Sequence, residues 1–348
     1  MVYIKHINHL TSFYILLMNP LFSLPLHGVY CVPFCGQKNN GLPFEITLDF
    51  SSVNLDKALK PIWSMTDVGE RYHSEVNLYK ELSSEKVLEP DEGIESKYYL
   101  EINCQGNGLF EITKNNITID WQKEGTGADH YFQTLAIALN LELNRVLCIH
   151  ANALAYKNKA IAIVAPSRTG KTTLTAALSQ NGFALMTDDM VALHEVRQGY
   201  EIYPSWPVAR MWPDALNDMQ PNAREQYKKV HDKFEKRVIN IDKAEGFTFC
   251  NKPKKLQVIY LLNRLPKQKN NDTPTGEIVP IATAQAIIIL LQNSILGSCY
   301  RVLNLEESRV HGFSKLLENV SFKQINYISG KEYLVEVGKL IKSDIQSI

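Results

Sequence analysis

Apolar and polar positions change period several times along the chain, and each change marks an element. From about Gly41 to Trp121 the runs are short and alternating, as in PFEITLDF, KYYLEINC and GLFEITKNNITIDWQ. Turn residues separate them, such as Gln105-Gly-Asn-Gly108 and Lys114-Asn-Asn116. Alternation broken by turns predicts an antiparallel sheet with hairpins. Asp129 to Asn144 (DHYFQTLAIALNLELN) instead spaces its apolar residues helically and predicts a helix. VLCIHANALAY and KAIAIVAP then predict two strands, the second a continuous apolar run suited to a buried parallel sheet.

An alanine-rich stretch, TTLTAALSQNG, follows and predicts a helix that stops at Gly182. Next comes FALMTDDMVALHEV, an apolar run interrupted by two adjacent aspartates, and then a strand at YEIYPSW. Pro213 to Arg237 is charged and reads as helical, LQVIYLLNRL as a buried strand, and Lys267 to Gly276 as an exposed polar loop. Ala284 to Leu296 predicts a strongly apolar helix, and Glu332 to Ile341 a C-terminal one. Neither an internal repeat nor a heptad pattern is present. The pattern divides the chain into a β-rich region, residues 1–125, and an α/β region, residues 126–348.

Composition narrows the classes. The 348 residues carry 37 Lys and Arg against 37 Asp and Glu, so no overall field attracts nucleic acid or an anionic membrane. Six cysteines are scattered, Cys31 and Cys35 being the close pair; no second pair and no histidine cluster has zinc-ligand spacing. Reduced thiols in a cytosolic protein are the expectation. Leu10 to Tyr30 is apolar, but Asn19, Pro20, Pro25 and His27 interrupt it. It lacks the roughly 18 uninterrupted apolar residues of a spanning helix, so no stable membrane insertion is expected.

The chemistry concentrates in Ile161-Ala-Ile-Val-Ala165-Pro-Ser-Arg-Thr-Gly170-Lys171-Thr172. A strand feeding a loop that ends Gly-Lys-Thr and opens a helix has the form of a phosphate-binding loop. Backbone N–H groups of Ala165, Ser167, Arg168, Thr169 and Gly170 surround one point, with Pro166 stiffening the turn, together with the helix start at Lys171, Thr172 and Thr173. Lys171 would lie between β- and γ-phosphates, and the Thr172 hydroxyl would be a ligand of Mg²⁺. A nucleoside triphosphate, ATP with Mg²⁺, is the expected cofactor.

A triphosphate site also needs carboxylates. Asp188 and Asp189 lie 17 and 18 residues after Lys171, at the end of the strand that follows the loop helix. In an open α/β sheet that strand end lies beside the loop. Two adjacent carboxylates between FALM and MVAL are costly to bury without cations. His150 lies 21 residues before Lys171, at the end of the strand LCIH.

Together, HANALAYKNKAIAIVAPSRTGKTTLTAALSQNGFALMTDD resembles the catalytic core of HPr kinase/phosphorylase: histidine, phosphate loop, helix closed by glycine, paired aspartates. Over residues 95 to 340 the chain is similar to the HPr-kinase-like serine kinases associated with peptide maturation, through LCIHANALA, PVARMWPDAL, LQVIYLLNR and AIIILLQNSIL. The resemblance implies an α/β P-loop core, a mixed sheet with flanking helices, behind a β-rich N-terminal domain. It implies Asp188 as the base that accepts a serine proton, supported by His150, and Asp189 as the metal-linked carboxylate. By the same resemblance Arg210 would stabilise the transferring phosphoryl; Lys236 and Arg237, in a charge run, are weaker candidates. Two features depart from the family: Ala165 replaces the loop's opening glycine, and the glycine-rich signature after the aspartates of bifunctional HPr kinases is missing. Both set the chain apart from HPr kinase proper. The expected activity is transfer of the ATP γ-phosphoryl to a serine of a peptide or small protein, in the cytoplasm, by a chain that the resemblance suggests is a homo-oligomer. A small-molecule kinase and a nucleotide-binding regulator with little turnover remain as alternatives.

Overall fold

The computed structural model describes residues 51–68, 73–82, 96–104, 107–121, 128–166, 169–213, 216, 227–230, 235–241, 247–266 and 276–348, and the backbone of residues 18–19, 24–25, 28–30 and 46–49. The pair Cys31 and Cys35, and Ser167 and Arg168 of the loop, lie outside them, as does most of Leu10 to Tyr30. The described residues form two compact units, one running to Phe132 and the other from Gln133 to Ile348.

In the first unit, β1 (Met18–Asn19) pairs with β2 (Leu24–Pro25). A seven-stranded sheet is built from β3 (Gly28–Tyr30), β4 (Ile46–Asp49), β5 (Trp63–Val68), β6 (His73–Leu82), β7 (Ser96–Asn103), β8 (Asn107–Ile112) and β9 (Asn116–Trp121), in the order β3-β4-β9-β8-β7-β6-β5. It is antiparallel except at β4–β9. Alternation sends Val76, Leu78, Leu100, Ile102, Phe110, Ile112, Ile117 and Ile119 to a buried face. The opposite face pairs tyrosines with carboxylates: Tyr79 donates to Glu101 at 2.8 Å and Tyr99 to Glu81 at 2.6 Å. Gly108 is required by packing, since a Cβ there would stand 1.9 Å from the Trp121 ring.

Helix α1 (Ala128–Tyr131) runs through a π-helical segment, Phe132–Ala136, into α2 (Ile137–Leu143), matching the helix expected over 129–144. The second unit follows, around a mixed nine-stranded sheet. Its strands are β10 (Leu147–Ile149), β11 (Ala151–Tyr156), β12 (Lys159–Val164), β13 (Ala184–Thr187), β14 (Val191–Val196), β15 (Gly199–Ile202), β18 (Lys254–Leu265), β19 (Gly276–Pro280) and β20 (Ser321–Ile328), with β16 (Val208–Met211) and β17 (Arg237–Asn240) forming a separate antiparallel pair. Strand β12 runs parallel to β18, and β18 parallel to β20. VLCIHANALAY, read as one strand, is two: the chain bends at His150, so β10 joins β14 while β11 joins β12 and β13. The helical reading of Pro213 to Arg237 also fails at its described end, where Val230 and Lys236 are hydrogen-bonded across a ladder and Arg237 opens β17. Charge density there reflects ion pairing, not helical period.

Helices cover both faces of this sheet: α3 (Lys171–Ser179), α4 (Thr283–Gln292), α5 (Glu306–Leu317) and α6 (Leu334–Ser347). Alternate residues of β12 divide between the layers. Ala160, Ala162 and Val164 pack with Leu290, Phe313 and Leu316 of α4 and α5. Ile161 and Ile163 pack with Leu174, Leu178, Val337 and Ile341 of α3 and α6. Each such aliphatic side chain contributes roughly 1.5–3 kcal/mol by leaving water. A third cluster, Ala209, Met211, Ile239 and Ile241 with Ala176 and Leu185, seats the β16–β17 pair against the back of α3 and β13.

One buried polar knot ties α2 to this core. Glu142 pairs with the Arg309 guanidinium of α5, and its Oε1 accepts from Tyr300 Oη at 2.9 Å and from the Cys148 backbone N–H at 3.0 Å. Arg309 also donates to the Glu142 carbonyl at 2.7 Å. Among the described residues, no helix is long and apolar enough to cross a membrane.

Candidate active site

Three strand ends meet at one edge of the second sheet. Because β11 is antiparallel to both β12 and β13, those two run parallel and finish at the same edge. The chain leaves β12 into the phosphate loop and leaves β13 into Asp188-Asp189. The sequence reading set the end of the aspartate strand beside the loop. Both lie at this edge, with β11 between the two strands and its first residues, His150 just before them, in the gap.

The loop closes on itself. Lys171 Nζ donates to the Ala165 carbonyl at 3.0 Å, and Thr169 Oγ1 to the Pro166 carbonyl at 2.6 Å. Gly170, at φ +100°, caps α3 in a conformation that L side chains avoid. A Cβ there would also lie 3.2 Å from the Tyr327 hydroxyl, which donates to the Thr169 carbonyl at 3.0 Å. Ala165 is outside the positive-φ residues, so alanine fits the opening position. Thr172 and Thr173 lie half-buried in the first turn of α3.

The aspartates occupy a tight turn, in which the Met190 N–H donates to the Asp188 carbonyl at 2.9 Å and Thr187 Oγ1 to the Met190 carbonyl at 2.5 Å. Asp189 has φ +66°, uncommon outside glycine though aspartate tolerates it better than most. Asn152, fully buried on β11, accepts from the Asp189 N–H at 3.3 Å and donates to Thr175 Oγ1 of α3 at 3.0 Å. One amide thus fixes the turn to the loop helix. Asp188 Oδ2 accepts the Arg210 backbone N–H at 2.7 Å, while its Oδ1 is buried with no hydrogen-bond partner among the described residues.

Cations arrive from the β16–β17 pair. Lys236 Nζ is 3.1 Å from Asp189 Oδ2, and Arg210 Nη1 is 3.8 Å from the same oxygen. Arg210 Nη2 also donates to Gln133 Oε1, carried by the π-helical turn; such turns recur at functional sites. Burial and then the Asp189 charge push Asp188 up to about 6. Burial alone would raise Asp189 too, but the Lys236 and Arg210 charges outweigh it and hold that carboxyl well below the usual range. Burial lowers Lys171 to about 8, against the pull of Asp189 and Asp188. His150 is brought down to about 4, by burial first and the Lys171 charge second, so its imidazole is neutral near pH 7. Its backbone N–H donates to the Asn293 carbonyl at 2.6 Å, anchoring the bend to the end of α4.

The structure therefore brings Lys171, Asp188, Asp189, Arg210 and His150 together. It adds Gln133, Asn152 and Thr175, which the sequence reading passed over, and raises Lys236 from a weak candidate to a direct partner of Asp189. A polar residue inside an otherwise apolar strand, as Asn152 is, was the one available signal. Among the described residues no three His, Cys, Asp or Glu side chains cluster as metal ligands. Mg²⁺ needs fewer: one or two protein oxygens with waters and phosphates complete its shell. The Asp189 carboxylate and the hydroxyl of Thr172 are a chemically suitable pair.

No family model matches the chain, and no curated protein matches it either. Among solved structures it is similar to the Hpr(Ser) kinase/phosphatase from Coxiella burnetii, at 14% identity over 57% of this chain and 91% of that chain, with a TM-score of 0.33.

Proposed function

We propose that the chain is an ATP-dependent kinase that transfers the γ-phosphoryl group to a serine hydroxyl of a peptide or small protein. The observation that carries this reading is a buried carboxylate oxygen, Asp188 Oδ1, without a hydrogen-bond partner among the described residues, at the same sheet edge as the Gly170-Lys171 loop. Lys171 would exchange the Ala165 carbonyl for the β- and γ-phosphates. Asp188 would accept the proton of the attacking hydroxyl, and its raised pKa brings it nearer the working pH of a general base. The Arg210 guanidinium, almost wholly buried and held by Gln133, would face charge developing on the phosphoryl group. Thr172 and Asp189 would hold Mg²⁺, which when bound offsets phosphate charge. The serine acceptor rests on the motif set running from His150 to Asp189, together with PVARMW. An ATP-consuming site fits the cytoplasm.

The test is label transfer. The purified chain with Mg²⁺ and γ-labelled ATP, offered a serine-peptide library alongside small sugars, nucleosides and amino acids, is expected to label peptide. Lys171→Ala should lower that transfer by about 10²–10³-fold, the usual cost of one charge-stabilising donor. Undiminished transfer by the variant would overturn the assignment, and label appearing only on small molecules would move the acceptor class.

A further inference from the structure

Arg210 and Lys236 converge on Asp189 beside Asp188, and Lys171 opens the loop helix at the same strand ends, in a mostly buried site. The cluster carries one excess positive charge, so an anion is its natural complement. The three cations are not held alike. Lys171 is bonded to the loop carbonyl of Ala165. Arg210 is anchored through its backbone N–H to Asp188 and through its guanidinium to Gln133, with a side chain 6% exposed. Lys236 meets Asp189 with a side chain 22% exposed, on a flexible four-carbon stem. Asp189 itself is fixed, its backbone at φ +66° and its N–H on Asn152. Of this ion pair, the lysine is the member free to move.

Resting on the nucleotide-site reading above, we propose that Lys236 is a resident counter-ion of Asp189, displaced when a divalent cation takes that carboxylate, and that the freed ammonium then binds the nucleotide's terminal phosphate. A divalent ion and an ammonium repel strongly when they share one carboxylate oxygen, so the arrival of the first expels the second. The expelled group has a new partner in reach. Lys236 is held 3.1 Å from Asp189, at the strand end where the loop carrying Lys171 also opens, so a phosphate on that loop lies on the side of Lys236. Lys236 thereby blocks the metal position before nucleotide arrives and strengthens nucleotide binding afterwards.

The two roles give shifts of opposite sign in one variant. In Lys236→Met, Mn²⁺ binding to the nucleotide-free chain, followed by electron paramagnetic resonance, should tighten about fivefold because the competitor is gone. Binding of a fluorescent ATP analogue with Mg²⁺ should weaken about tenfold or more through loss of a charge-assisted contact. Lys229→Met makes the same charge change where the ammonium lies 2.8 Å from Glu235, and should move neither quantity more than about twofold. Lys236→Arg keeps the charge and should retain nucleotide affinity within about threefold; with Lys236→Gln it provides the same readouts if the methionine variant does not fold. Equal shifts in Lys236→Met and Lys229→Met, or no loss of nucleotide affinity in Lys236→Met, overturn the counter-ion role alone. A wild-type chain that binds no nucleotide removes the kinase reading and this inference with it.

Discussion

Replacing Asp188 by asparagine is expected to lower phosphoryl transfer about 10²–10⁴-fold while Mg-ATP affinity stays within about threefold. Asparagine has the same shape, and its oxygen can still accept the Arg210 N–H that Asp188 Oδ2 accepts at 2.7 Å. The base is lost, because an amide takes no proton from a hydroxyl. Stability should not fall: the change removes a buried charge that burial and Asp189 already disfavour. The informative comparison is with Lys171→Ala, which should lose affinity as well as turnover, whereas Asp188→Asn loses kcat. Steady-state kinetics with an equilibrium binding titration separates the two. An Asp188→Asn chain with a third or more of wild-type kcat would remove Asp188 from the chemistry.

The largest stability effect should come from the opposite side of the core. Arg309→Met leaves Glu142, fully buried, without its cation and is expected to cost about 3–5 kcal/mol in denaturant unfolding. The pH dependence has a definite sign. Burial raises the Glu142 pKa above 4.5 even against Arg309, so the folded chain holds this proton more tightly than the unfolded chain does. The Glu142 contribution is therefore complete at low pH and declines as pH rises past 4.5 through the folded value. Without Arg309 the folded value rises further, so the variant's deficit should be smaller at pH 5 than at pH 8. A pH-independent deficit would mean that packing of the arginine stem, not charge, carries the effect. Adding Glu142→Gln to Arg309→Met should recover part of the loss, since the amide oxygen can still accept from Tyr300 and Cys148.

What could be read in advance, and what could not, divides along a physical line. Lys171, Asp188 and Asp189 lie at ends of apolar runs, where local pattern alone marks a strand leaving the core. Gly170 and Gly182 likewise announced a loop and a helix stop, and both have positive φ. The helix over 129–144 and the strand at LQVIYLLNRL were legible because their periods are long and unbroken. Gln133 and Asn152 were hidden, and Lys236 was only a weak candidate, because distant pairings place them. Gln133 meets Arg210 across 77 residues and Lys236 meets Asp189 across 47. The bend at His150 was missed for another reason: VLCIHANALAY is mostly apolar on both sides of it, so nothing in the hydrophobic pattern separates one strand from two.

A single residue in β13 decides how its aspartates are presented. Ala155 and Leu154 of β11 face Ala184 and Leu185 in regular succession, but Ala153 faces Thr187, so Met186 is an extra residue in the ladder. That bulge advances everything after it by one place, and the advance lets Asn152 reach the Asp189 N–H. Volume and strand geometry therefore separate at this position. Exchanging Met186 for leucine alters only how the interior is filled. Deleting it would leave Thr187 opposite Ala153 but remove the bulge, and with it the local twist that presents the Asp188-Asp189 turn to Asn152. The length of the segment Phe183 to Thr187 is thus set by the bulge, while the identities of Phe183, Leu185 and Met186 are set by the core that they fill.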